Sequence, residues 1–448
     1  MDIKKSSFFI FLILFFASSC KPMANGINNE SELVDDFGNQ SFESGGQFST
    51  ATPPVFPDLR GEAFDIFFIG AMSAEYVDIT ESISQGLQDG FDYLNANGGI
   101  FGALINYHFL GVSDYGDELE TIYLDLLEED PILIVLALPV SQDFFQMINN
   151  NGVPILFYGI GTSRLDSAEL GEDYLFWLTP LPDQQMAFVL QEIWTNWENV
   201  RPPGNFNEMK VGYLTWSEKN APFALTPEIQ VFIQQHNFTL DVQGRIPITV
   251  NASATNFLLE AVSKGVTVIF TDMVTVGPSV LLNDVAGLGL TDFFVISGSE
   301  WMIGSYLDQY YRGNLTVDQV YVPISTAWWT DTENPAIVEA EKIRDSGSRD
   351  NETGGDYGYL LSLGAVDIVS FVLNGAVDAK QSGNIDAEDV MVQLSQLNYE
   401  VMGGLFRVDY RNGNRTVDQI RLWRYSSIAG MSPVGDVAAV PDLPMIEK

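Results

Sequence analysis

From residue 65 onward, short apolar runs alternate with stretches whose apolar positions recur at helical spacing. Residues 65–70 (DIFFIG) predict a buried strand. Ile79, Ile83, Leu87, Phe91 and Leu94 fall on one face and predict a helix over 78–95, with Asp78 or Thr80 as its cap. Asn97-Gly98-Gly99 stops that helix. Strands are then predicted at 104–110, 132–137 and 154–158, with helices at 117–128 and 142–149 between them. Continuous apolar strands separated by amphipathic helices indicate a parallel sheet covered on both faces.

The alternation restarts farther on. Strands at 210–215, 239–244, 266–271 and 293–297 are separated by helices at 226–236, 255–264 and 280–288. Two successive series of this kind predict an α/β protein with two lobes of similar construction. No sequence repeat links the series, so the symmetry lies in the architecture alone.

The N-terminus departs from this pattern. Lys4 and Lys5 precede an unbroken apolar run, Phe8 to Ala17, and Ala17-Ser18-Ser19 supplies small residues before Cys20. That is the order of a secretory signal peptide over 1–19. The apolar run is too short to span a bilayer, which needs roughly 20 residues. Cys20, the single cysteine of the chain, resembles the lipidated cysteine of a bacterial lipobox, which makes it the expected lipidation site and the only link to a membrane. An ordinary signal peptide cut near Ser19 is the alternative. Residues 20–63, rich in Asn, Ser, Gly and Pro, read as a flexible tether.

Charge narrows the partners. With 60 acidic against 21 basic residues the formal net charge is −39, which argues against a nucleic-acid partner and against charge-driven membrane binding. Histidine is scarce: His108 falls in a predicted strand and His236 near a helix end, both structural positions. No metalloprotease helix, nucleophile elbow or phosphate-binding loop is present, because Gly98–Gly102 follows a helix instead of opening one. No cofactor and no metal is expected. A hydrolase using paired carboxylates is the enzyme alternative, since so many acids guarantee some close pairs.

Ligands of open α/β sheets bind beyond the carboxyl ends of the strands. The loops there hold Ser73, Ser141, Gly161, Thr162, Ser163, Trp216, Asp272 and Glu300. Hydroxyls and free N–H groups suit a carboxylate, and an acid on the opposite lobe suits an ammonium. The same residue types are favoured in these places simply as helix caps.

The segment 70–102 (GAMSAEYVDITESISQGLQDGFDYLNANGGIFG) resembles the opening of the type 1 periplasmic binding proteins, in the branch of Leu/Ile/Val-binding and short-amide-binding receptors. Asn151-Gly-Val-Pro154, Gly298-Ser-Glu300, the stretch 359–375, and Gly403 to Asp409 with Gly413-Asn-Arg extend the likeness over nearly the whole body. The resemblance implies two Rossmann-like lobes joined by a three-segment hinge: an N-terminal lobe of 64–180 plus 328–402, a C-terminal lobe of 181–327 plus 403–430, and a tail of 431–448. Crossings are expected near 179–182, near 325–329 and near Gly403. It further implies that the protein is no enzyme, and that it captures a small polar metabolite, an amino acid or related amide, for an ABC permease in the membrane. A sensor of the same fold, signalling to a membrane partner, is the alternative. Carried over by position, Ser141, Gly161 and Thr162 would hold a carboxylate, Glu300 an ammonium, and Tyr76 and Trp216 would form aromatic walls.

Overall fold

The first predicted series folds into a five-stranded sheet. In the computed structural model the described residues are 57–444, apart from 74–75, 161–173, 206, 218–223, 248, 250, 275, 304–319, 348–355 and 427–429. Chain order runs β1 (Ala63–Ala71), α1 (Val77–Ala96), β2 (Leu104–Val112), α2 (Asp117–Leu127), β3 (Ile134–Ala137), α3 (Gln142–Asn151), β4 (Ile155–Phe157) and β5 (Leu175–Trp177). The strands are all parallel in the order β2-β1-β3-β4-β5, with Phe67 to Gly70 of β1 in register with Ile134 to Ala137 of β3. Every residue of β3, β4 and β5 is buried, which explains their unbroken apolar sequences.

The second series repeats the plan. It comprises α4 (Pro182–Thr195), α5 (Trp197–Val200), β6 (Lys210–Trp216), α6 (Pro227–Gln235), β7 (Thr239–Ile246), α7 (Thr255–Lys264), β8 (Val268–Thr271), α8 (Val276–Gly287), β9 (Val295–Gly298) and β10 (Val320–Ile324). Its parallel order, β7-β6-β8-β9-β10, matches that of the first lobe strand for strand. Alternate residues serve opposite faces: Val211, Tyr213, Val268 and Phe270 pack with α4 and α6, whereas Leu214, Trp216 and Ile269 join the core that holds Leu258 and Leu281.

The chain then returns to the first lobe through α9 (Pro335–Ser346), α10 (Tyr357–Lys380), α11 (Ala387–Ser395) and a hairpin of β11 (Asn398–Val401) and β12 (Phe406–Asp409). It ends in the second lobe, where β13 (Gln419–Ser426) pairs antiparallel with β10, and β14 (Gly430–Ala439) pairs with β13. The helix α10 is long and apolar enough to cross a membrane, yet 72% of its apolar window is buried inside the protein. It lies tightly on α1. A Cβ at Gly86 would stand 2.7 Å from the carbonyl oxygen of Tyr359, so this crossing requires glycine.

Several expectations change. Neither Asp78 nor Thr80 caps α1: its N-cap is Tyr76, whose side chain makes no capping hydrogen bond, and Thr80, 1% exposed, is turned into the protein from the first turn. Leu59, expected in the tether, is buried, and its N–H donates to the carbonyl of Phe101 at 2.9 Å. The third crossing comes after β12 instead of near Gly403, because β12 is still paired with β11. Residues expected as a tail form β14, whose alternation is obscured by one exposed face and by a register shift in its pairing with β13.

Candidate functional site

The carboxyl ends of both sheets carry the predicted residues. In the first lobe, the loop after β1 brings Ser73 to Tyr115: their hydroxyls are hydrogen-bonded, and Tyr76 meets the Tyr115 ring edge-on at 5.9 Å. Tyr76 is 3% exposed, packed into the core of its lobe. Ser141 is exposed and caps α3, its Oγ accepting the Phe144 N–H at 3.2 Å. That bond uses a lone pair and leaves the hydroxyl proton for another acceptor. Gly161 and Thr162, like Cys20, lie outside the described residues.

In the second lobe Trp216 closes β6 and is buried against the start of α8, so close that a Cβ on Gly277 would stand 2.6 Å from its ring. Asp272, one residue beyond β8, is buried as well. It accepts the Tyr213 hydroxyl and, at 2.9 Å, the Ala224 N–H. Burial raises its carboxyl to about 6 against the lowering effect of the Thr215 and Tyr213 hydroxyls and the Ala224 N–H. Both residues are therefore held within their own lobe.

Glu300, just beyond β9, has no solvent exposure at all. Gln185 Nε2 donates to its Oε1 at 2.7 Å, while Ser325 Oγ, at 3.2 Å, and the Tyr357 hydroxyl donate to its Oε2. Its own N–H returns to Gln185 Oε1 at 2.9 Å. Burial pushes the carboxyl up to about 8, opposed by these donors and by the Thr179 hydroxyl. The partners come from both lobes: Thr179 follows β5, Gln185 lies on α4, Ser325 follows β10 and Tyr357 opens α10. Glu300 thus ties two hinge crossings to the first lobe. Expected as an ammonium partner facing the cleft, it has in this conformation both oxygens engaged by neutral donors.

Beside it, Trp301 bridges the lobes. Its ring lies 5.0 Å from that of Tyr357 and 6.3 Å from that of Tyr158, whose hydroxyl is bonded to Ser362 Oγ at 2.8 Å. Sequence reasoning missed Gln185, Ser325, Tyr158 and Tyr357, which stand in four separate segments and share no local pattern. Trp301 was within reach, as the neighbour of Glu300 in a loop already under suspicion. Among the described residues no group of three or more His, Cys, Asp or Glu is placed to hold a metal ion.

Comparison with known proteins decides the class. The sequence pattern of one family, described as periplasmic binding protein, matches residues 65–428. The chain belongs to that family. It is accordingly a binding protein of the periplasmic, extracytoplasmic class.

Solved structures agree on the fold. A branched-chain amino acid ABC transporter protein from Thermus thermophilus with bound valine superposes with a TM-score of 0.71 at 15% identity, covering 85% of this chain and 97% of the other. A fatty acid ABC transporter substrate-binding protein from Thermomonospora curvata gives 0.66 at 15% identity, covering 86% and 97%. A solute-binding protein from Rhodopseudomonas palustris in complex with p-hydroxybenzoic acid gives 0.65 at 11% identity, covering 86% and 98%. No curated protein matches this periplasmic binding protein by sequence.

Proposed function

We propose that this receptor captures a small carboxylate with an apolar body, an amino acid such as a branched-chain one or its deaminated counterpart, and hands it to an ABC permease. The observation that carries the reading is the state of the two acids at the strand ends of the second lobe. Burial raises Glu300 to about 8, so near neutral pH it keeps its proton and does not repel an anion. Asp272, raised only to about 6, has its charge engaged by the Tyr213 hydroxyl and the Ala224 N–H. Aromatic groups, Tyr76, Trp216 and Trp301, supply apolar walls. Hydroxyls at Ser73 and Ser141, with Thr162 and the N–H of Gly161, are the proposed carboxylate donors. Three structurally similar proteins point the same way, since valine, a fatty acid and p-hydroxybenzoic acid all join a carboxylate to an apolar body.

In this reading Glu300 acts at the hinge, and the ammonium of an amino acid is not its main partner. Cys20 carries the lipid that holds the receptor at a membrane. Calorimetry of the full chain with leucine, 4-methylpentanoate and leucinamide tests the ligand class. Binding of both carboxylates and not of the amide supports the proposal. Tight binding of leucinamide overturns it, whereas binding of leucine alone keeps the amino acid, strikes out its deaminated counterpart and restores an acid to the ammonium. A ligand at 100 times its dissociation constant stabilises the fold by about 2.7 kcal/mol, so melting provides an independent check.

A further inference from the structure

A cavity of about 330 Å³ lies at the hinge itself, bounded by the crossing after β10, the β11–β12 hairpin and strands β13 and β14. Its walls hold two buried polar groups with no hydrogen-bond partner among the described residues: Thr326 Oγ1 and the indole N–H of Trp423. Thr326 is 3% exposed and Trp423 fully buried. Buried polar groups are paired in the great majority of cases, so two orphans on one wall call for an acceptor that is not part of the protein.

The charges around them fit such an acceptor. In a chain with 60 acids and 21 bases, both Arg407 and Arg421 stand on this cavity. Neither forms an ion pair among the described residues. Arg407 gives its Nε and Nη2 to Asn398 Oδ1, at 3.3 and 3.0 Å. Arg421 gives its Nε to the Gly435 carbonyl at 2.9 Å and lies 5.4 Å from the Trp423 ring, and its terminal nitrogens have no hydrogen-bond acceptor among the described residues. Two carboxylates share the wall: Asp331 already accepts the Trp328 N–H at 3.1 Å, and Glu400 faces Arg407 across the hairpin ladder. Phe406 and Trp423 provide apolar surface.

We propose that this cavity is a second binding site, for a small organic carboxylate with a compact apolar body. The carboxylate takes the fork of Arg421 together with the Trp423 N–H and the Thr326 hydroxyl, and the body lies against Phe406. The site is separate from the strand-end cleft and does not depend on the ligand proposed there. Ser325 touches both, since it lines the cavity and donates to Glu300. An occupant would therefore press on the crossing that Glu300 secures.

The test uses the full chain labelled with 15N in tryptophan, titrated with benzoate and, as the uncharged counterpart, benzamide. The indole resonance of Trp423 is assigned by its loss in W423F. Benzoate should shift it saturably and benzamide should not. R421Q should weaken the affinity read at this resonance by about tenfold or more, as loss of a charge-assisted pair does, and T326V by about threefold. Movement of other indoles while Trp423 stays still would place benzoate elsewhere and overturn the proposal, as would an unchanged affinity in R421Q. Should R421Q lose its native indole pattern, T326V decides: weakened binding supports the site, and unchanged binding refutes it.

Discussion

Tyr357, at the first position of α10, donates its hydroxyl to Oε2 of Glu300, beyond the end of β9, and so joins the two lobes at a point closed to solvent. Hydrogen-bonded carboxyls are ordinarily acidic. Here desolvation outweighs the donors, and the proton is retained up to about pH 8.

That balance gives the first prediction. Between the usual glutamate value of 4.5 and about 8 the folded state binds a proton that the unfolded chain has released. The resulting stabilisation is complete below the lower value and is lost as pH rises through the upper one. Urea unfolding from pH 5 to 9 should show stability falling with pH, and the difference between wild type and E300Q isolates Glu300 from general charge repulsion. E300Q, which mimics the protonated acid, should flatten the curve at a cost below about 1 kcal/mol, whereas E300A should cost roughly 3 kcal/mol by stranding Gln185, Ser325 and Tyr357. Equal costs for the two variants would refute a neutral Glu300.

Ser141 separates capping from ligand contact. S141A should lower stability by about 1 kcal/mol through loss of the α3 cap, while S141G, a tolerable cap, should lose only a few tenths. Both lack the hydroxyl proton, so both should weaken carboxylate binding several-fold in calorimetry. Unchanged affinity in S141G would leave Ser141 a cap and nothing more.

The crossing of α1 and α10 is set by Gly86. G86V places branched carbon against the Tyr359 carbonyl, which lies 2.7 Å from an ideal Cβ, and overpacking of this kind costs about 1–3 kcal/mol. Chemical denaturation should register the full loss. The same Cβ would press on Ser362, which holds the Tyr158 hydroxyl beside Trp301, so affinity in the folded fraction should also fall, by a few-fold in calorimetry.

For the membrane link, C20S should abolish incorporation of radiolabelled palmitate in a bacterial host. It should release the receptor into the soluble fraction. Labelling that persists would assign the N-terminus to ordinary cleavage.

How far these features could be read in advance depended on their range. Strands such as Ile134–Ala137 and Val268–Thr271 announced themselves because burial on both faces demands uninterrupted apolar sequence. Helices such as α7 did so through periodicity, closed by Gly265 in the left-handed conformation. By contrast β5 has three residues, too few to show a period, and α4 is buried on so many sides that no polar face marks it. Asp386 caps α11 in a reciprocal box with Asp389, a signal that is entirely local. The partners of Glu300 are not local: Thr179, Gln185, Ser325 and Tyr357 meet only through the topology. A carboxylate's company decides whether it is a charge or a proton store, and company of that range leaves no mark in any window of sequence.

The doubled sheet order also governs how the chain can be assembled. Neither lobe is a contiguous stretch: the first needs α9 and α10 to cover α1, and the second needs β13 and β14 beside β10. A polypeptide halted after β10 would have every parallel strand of both sheets and yet complete neither half. Each half is thus completed only by segments that lie beyond β10 in the chain, so loss of the stretch from α9 to β14 would leave both sheets without a cover or an edge.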